Sequence, residues 1–132
     1  MDDLVLLTLD EILRIHNDQI LRYGGSPGVR DLGLLQSAVA MPSMGIGDHY
    51  FHGDEFETAA AYLFHITRNH PFVDGNKRTG AVAALVFLAL NGIELAATED
   101  KFEALVRKVA EGRLDKAGIA QFLRENSRSQ HR

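Results

Sequence analysis

Cysteine is absent from the 132 residues. That removes disulfide scaffolds, thiolate zinc sites and thiol nucleophiles, and it suits a reducing compartment. Positive charge has no excess anywhere: 14 Lys and Arg stand against 18 Asp and Glu, the formal net charge is −4, and no basic block runs along the chain. A nucleic-acid partner is therefore not expected. Long apolar runs are missing too, since the longest, Ala81 to Leu90, is about half of the roughly 20 residues that a membrane span needs. The start, MDDLVLLTLDE, opens with acids where a signal peptide carries Lys or Arg. A cytoplasmic protein without a membrane partner is the expectation. Signals for β-strands are nearly absent, and no repeat, heptad series or low-complexity tract appears.

What is present is about one domain of ordinary globular composition, 45% hydrophobic and 24% charged, of a length that buries roughly two thirds of its unfolded surface. TLDEILRIHNDQILRYGG has a capping box, Thr8 with Glu11. Ile12, Leu13, Ile15, Ile20 and Leu21 follow at helical spacing, and Gly24 with Gly25 stops the helix. After a loop with Pro27 and Gly28, Asp31 caps a second helix, LGLLQSAVA, which ends before Pro42. SMGIGDHYFHG, residues 43–53, has no helical period and predicts a flexible loop or short hairpin flap. DEFETAAAYLFHITRN predicts a third helix closing near His70, because Pro71 disfavours helical geometry in the residue before it. The fourth, from about Asn76 to Leu90, is apolar on nearly every side, as expected of a central buried helix, and Asn91-Gly92 ends it. TEDKFEALVRKVAEG and LDKAGIAQFLRENS predict two more amphipathic helices joined at Gly112. The predicted fold class is all-α, about six helices around the central apolar one. It forms a single domain over residues 1–126, with a frayed tail at 127–132.

HPFVDGNKRTG, His70 to Gly80, breaks a rule. A helix N-terminus presents unpaired N–H groups and about half a positive charge, so Lys77 and Arg78 in the first turn are unfavourable there. Their placement makes sense if an anion sits among them, with backbone N–H groups, dipole and both side chains converging on it. Gly75 allows close backbone approach, and Asn76 can cap the helix or touch a phosphate. Asp74 is the kind of carboxylate that Mg²⁺ uses beside a polyphosphate. A neutral imidazole at His70 can take a proton from an attacking hydroxyl, and Phe72 points inward to pin the loop. In outline this is a phosphoryl- or nucleotidyl-transfer site. Taken singly, the same residues read as an ordinary turn, a helix cap and a solvated face.

HPFVDGNKRTG resembles the Fic/Doc motif, H-x-F-x-(D/E)-(G/A)-N-(G/K)-R, and its NKRT form is similar to that of the death-on-curing (Doc) toxins of bacterial toxin–antitoxin modules. RYGGSPGVRD and FLALNGIEL extend the likeness over nearly the whole chain. The resemblance implies ATP- and Mg²⁺-dependent modification of a protein hydroxyl. His70 would be the base, Phe72 the anchor and Asp74 the Mg²⁺ ligand. Gly75, Asn76, Lys77, Arg78 and Thr79 would make up the nucleotide and phosphate site, with Arg78 among the catalytic groups. Where the AMP-transferring branch has a second Gly and a second Arg, this chain has Lys77 and Ala81. Both departures favour γ-phosphoryl transfer, with a threonine of elongation factor Tu as the implied target and arrested translation as the outcome. AMP transfer and a non-catalytic nucleotide- or phosphate-binding module are the rival readings.

Three other features complete the picture. Arg68 lies close enough in sequence to help bind phosphate or, more simply, is a solvated helix-end cation. DHYFHGDE holds His49 and His52 beside Asp48 and Asp54, but the loose spacing argues against a metal site. In the family this region is a flap over the target segment, so Tyr50 and Phe51 serve substrate docking or packing. No match to the family's inhibitory helix, (S/T)-x-x-x-E-(G/N), occurs. Restraint of a toxin of this kind would come in trans, from a disordered antitoxin segment folding onto an apolar groove beside the first two helices.

Overall fold

The computed structural model describes residues 4–43 and 54–130. Among them are six α-helices: α1 (Leu9–Tyr23), α2 (Leu32–Ala40), α3 (Glu55–Asn69), α4 (Asn76–Leu90), α5 (Glu99–Ala110) and α6 (Lys116–Glu125). A 3₁₀ turn over Met41–Ser43 closes α2. None of the described helices is long and apolar enough to cross a membrane. The expected flap at 43–53, with His49, Tyr50, Phe51 and His52, lies outside the described residues beyond Ser43.

Local chemistry sets most boundaries. The Thr8 hydroxyl accepts from Glu11 N while the Glu11 carboxylate accepts from Thr8 N, which completes the expected capping box. Asp54 and Glu57 form a second such box at α3. Asp31, Thr98 and Asp115 cap α2, α5 and α6. Each of these caps is worth about 1 kcal/mol.

α3 packs against α2, α4, α5 and α6. With α4 it forms the centre of the bundle, around Tyr62, Leu63, Ile66, Phe87 and Leu88, all fully buried. Each such side chain contributes about 1.5–3 kcal/mol relative to exposure. The extended segment before α1 is tied to this centre. Tyr62 Oη accepts from Leu7 N at 2.9 Å, and the Asn91 amide pairs with both backbone groups of Val5. α1 rests on α4, and the C-terminal end of α1 therefore lies beside the N-terminal end of α4.

Residues 127–130 differ from the expected frayed tail. Ser127–Ser129 forms a strand, β2, antiparallel to β1 (Ile93–Leu95), with Glu94 opposite Arg128. The ladder supplies backbone partners, and Arg128 Nε donates to Glu94 Oε1 at 3.1 Å. Strands of three residues with a Ser-Arg-Ser partner have too little length or apolar alternation to show in a sequence.

Two predictions follow from the α3 contacts. A Cβ at Gly80 would lie 2.7 Å from Thr67 Oγ1 and 3.2 Å from Leu63 O. Overpacking of this kind costs about 1–3 kcal/mol, against about 1 kcal/mol gained in helix propensity. Gly80→Ala is expected to lower stability in denaturant melts, and Thr67→Ala to restore part of the loss in the double variant, because the Thr67 hydroxyl is buried without a partner. Additive losses would exclude this contact. The second concerns His65, whose Nε2 lies 3.2 Å from Lys116 Nζ. Burial, and then Lys116, push its pKa down from 6.5 to about 4. Between these values the unfolded chain binds the extra proton, so stability is lost as pH falls from 6.5 to about 4. His65→Gln is expected to flatten the dependence of Tm on pH across that window.

Candidate active site

α3 cannot continue through the residue before Pro71, and the chain leaves it by a left-handed turn: His70 has φ 50 and ψ 53, and it is the one non-glycine with positive φ among the described residues. That conformation costs roughly 1–2 kcal/mol in a residue with a Cβ. It is held from outside. Arg30 Nε donates to His70 O at 2.6 Å and Arg30 Nη2 to Asn69 O at 3.0 Å. The backbone N–H groups of Arg30 and Asp31 both donate to Pro71 O, and Val73 N donates to Gly28 O, so the 28–31 segment runs beside 71–73 as a short bridge. The His70 side chain is exposed and makes no hydrogen bond among the described residues.

Phe72 is fully buried, as expected of an anchor. Its ring stacks on that of His16, with centroids 3.7 Å apart and planes 4° from parallel. His16 Nε2 lies 2.8 Å from Asp74 O. A carbonyl only accepts, so this nitrogen carries the proton in the bond. The Asn76 side chain accepts from Phe72 N at 2.9 Å and donates to Phe72 O at 3.0 Å. Its amide thus holds the loop and does not cap α4.

Asp74 closes the turn with both oxygens. Oδ1 accepts from Gly75 N at 2.9 Å and Oδ2 from Ser26 N at 3.2 Å. The Ser26 and Gly75 N–H groups hold its pKa below the usual carboxylate range, with smaller help from Arg78 and His16. It is therefore anionic at neutral pH, as a Mg²⁺ ligand must be. Each carboxylate oxygen accepts more than one bond, so capacity for a cation remains. Gly25 is required here, because a Cβ on it would lie 2.8 Å from Asp74 Oδ2.

Next comes the one described helix without a side-chain cap. Gly75 occupies the N-cap of α4 in the left-handed region, φ 78, and no side chain bonds the first-turn N–H groups. The first turn contains no acid. The two cations divide. Arg78 Nη2 donates to Gly24 O at 2.9 Å, with a long contact from Nη1 to Gln19 O, and its guanidinium lies 5.8 Å from the Tyr23 ring centroid. The negative end of α1 thus offsets its position at the positive end of α4. Of the five N–H donors of a guanidinium, three remain for a ligand. Lys77 is exposed and has no ion pair or hydrogen bond among the described residues. Thr79, expected beside the phosphate binders, is fully buried with an unpartnered hydroxyl, so its side chain faces the interior. Arg68 serves the fold instead of the cradle, donating to Ala110 O at the end of α5 at 2.9 Å.

Lys77 and Arg78 form one end of a cleft of about 810 Å³, with Ala81, Val82 and Leu85 of α4 facing Phe102, Val106 and Arg107 of α5. Glu99, Asp100 and Glu103 also line it, and Glu103 pairs with Arg107. His70 and Asp74 lie outside this lining. His16, Gln19, Ser26 and Arg30 had no local signal of their role: the side chains of His16 and Arg30 meet carbonyls distant in sequence, and the backbone groups of Gln19 and Ser26 meet distant side chains.

The described site thus joins an exposed histidine, an acidic turn before a left-handed glycine, and a cationic helix end without a side-chain cap. The chain belongs to the Fic/DOC family, whose model matches residues 6–88. It is 42% identical over 105 residues to a protein named Toxin Doc from Mycolicibacterium smegmatis, covering 78% of this chain and 81% of that one. It is 32% identical over 115 residues to Protein kinase doc of Escherichia phage P1, covering 87% and 90%.

The Asp74 tether makes a prediction. Gly25→Ala is expected to displace the carboxylate from Ser26 N and raise the Asp74 pKa toward its ordinary range, followed by NMR titration of the Asp74 carboxyl carbon. An unchanged titration would mean that Gly25 does not set the position of Asp74.

Proposed function

We propose that this chain is a toxin of the Doc type. It would be an ATP- and Mg²⁺-dependent protein phosphotransferase acting in the cytoplasm, and would move the γ-phosphoryl group to a hydroxyl, a threonine of elongation factor Tu, so that translation stops. The observation that carries the reading is the start of α4, where uncapped N–H groups, a Lys77 without a partner among the described residues and an Arg78 with donors to spare follow within four residues of an ionised Asp74. The names of the two relatives, a Doc toxin and a Doc protein kinase, support it.

In this reading His70 takes the proton of the attacking hydroxyl, from a backbone position set by the clamp on Asn69 and His70. The α4 N–H groups, Lys77 and Arg78 hold the transferring phosphate where negative charge gathers. Asp74 holds Mg²⁺, which when bound neutralises phosphate charge and orients the chain of phosphates. Gly75 keeps the approach open. Ala81 leaves the cleft floor without the second arginine that AMP transfer uses in the family, and this favours γ-phosphoryl transfer. An antitoxin acting in trans restrains the activity.

The test is paired labelling of elongation factor Tu with ATP radiolabelled at the γ- or the α-phosphate. Label from γ alone is expected, falling about 10²–10⁴-fold in His70→Ala. Label from α would establish AMP transfer instead. Nucleotide binding that persists in His70→Ala together with full toxicity would favour a binding module. Lys77→Gly is expected to lower γ-transfer strongly while changing stability by under about 1 kcal/mol, because loss of an unfavourable first-turn cation offsets the glycine propensity cost.

A further inference from the structure

We infer that Arg30 is a positioning residue for the phosphotransfer reaction, fixing His70 in its left-handed conformation and so setting the direction of the base. The inference rests on the proposed role of His70 and adds a residue that the motif does not contain. Two bonds from one guanidinium meet two successive carbonyls, His70 O at 2.6 Å and Asn69 O at 3.0 Å. Those carbonyls close α3, where peptide dipoles concentrate negative charge and favour a cation. Arg30 has no carboxylate partner among the described ion pairs.

The geometry demands an arginine. A planar fork reaches both carbonyls at once, whereas an ammonium on a flexible stem acts as a point charge. The backbone of the same residue adds a third tie, Arg30 N to Pro71 O at 2.7 Å, so the fork is anchored where it is used. His70 is exposed and has no side-chain partner to orient it among the described residues. Its direction therefore comes from its backbone. If α3 instead frayed, the imidazole would swing by more than the ångström whose misplacement can cost about a hundredfold in rate.

The experiment compares Arg30→Ala and Arg30→Lys with the unaltered chain in three readouts. These are the φ-sensitive HN–Hα coupling of His70 by NMR, the KM for ATP and kcat in the labelling assay, and thermal stability. The His70 coupling is expected to leave its left-handed value in both variants. The kcat is expected to fall about a hundredfold, with KM for ATP within about twofold because Lys77 and Arg78 are untouched. Methylguanidinium should restore part of the rate to Arg30→Ala, and methylammonium should not. A His70 coupling unchanged in both variants would overturn the inference, as would rates near normal while His70→Ala is inactive. If His70→Ala remains fully active, the phosphotransfer reading itself fails, and the coupling alone then decides whether Arg30 holds the turn. Should Arg30→Ala not fold, Arg30→Lys carries the same comparison.

Discussion

Burial of Phe72 is the constraint on which the rest of the site depends. The loop between α3 and α4 is short, and three of its side chains, His70, Val73 and Asp74, are exposed. One ring, fully buried and stacked on His16, fastens it to the core. Burying an aromatic ring contributes about 1.5–3 kcal/mol, and the stacking adds about 0.5–1.5 more. The backbone on either side then follows. Asn76 clasps both polar groups of Phe72, and His16 bonds the carbonyl of Asp74 two residues on. A turn held this way can afford a left-handed His70 and a left-handed Gly75 within six residues of each other.

The placement of two cations at a helix start has two physical answers. Arg78 is balanced at the C-terminal end of α1, where Gly24 O, at the C-cap, accepts at 2.9 Å and Gln19 O lies 3.5 Å away. Lys77 has no such balance among the described residues. Charge that the fold does not neutralise is charge available to a ligand, and it stands where the helix also offers unbonded N–H groups. Arg78 accordingly does two jobs, joining α1 to α4 and contributing donors, while Lys77 can do only the second. Replacing either cation therefore tests different things.

Much of the scaffold was legible because its signals are local. Thr8, Asp31 and Pro71 mark helix limits through hydrogen bonds or clashes within four residues, and α1 and α2 begin, and α3 ends, where those signals place them. The identities in HPFVDGNKRTG likewise point to the loop. The partners that hold the loop were not legible. His16 looks like one more residue on an amphipathic helix, and Arg30 like a loop cation, since what matters is a carbonyl 58 or 40 positions away. Asn76 and Thr79 illustrate the converse. Their place in the motif suggested ligand contact, yet side-chain direction on α4 sends one back to Phe72 and the other into the core. The pair of three-residue strands was invisible for lack of period.

A further consequence concerns how the site can fail. Its functional groups come from the α3–α4 loop and the first turn of α4, but the bonds that tie His70, Asp74 and Arg78 come largely from α1 and the 24–31 segment, whose residues 24–30 are exposed. Exposed segments open locally at less cost than the global unfolding free energy. Release of 24–31 would free Asp74 from Ser26, Arg78 from Gly24 and His70 from Arg30 together, while the core of α3, α4 and α6 stayed packed. Site order is then coupled to one surface segment more tightly than to overall stability. Anything that binds 24–31 and stabilises its docked form favours the ordered site, and anything that draws it away dismantles the site without unfolding the domain.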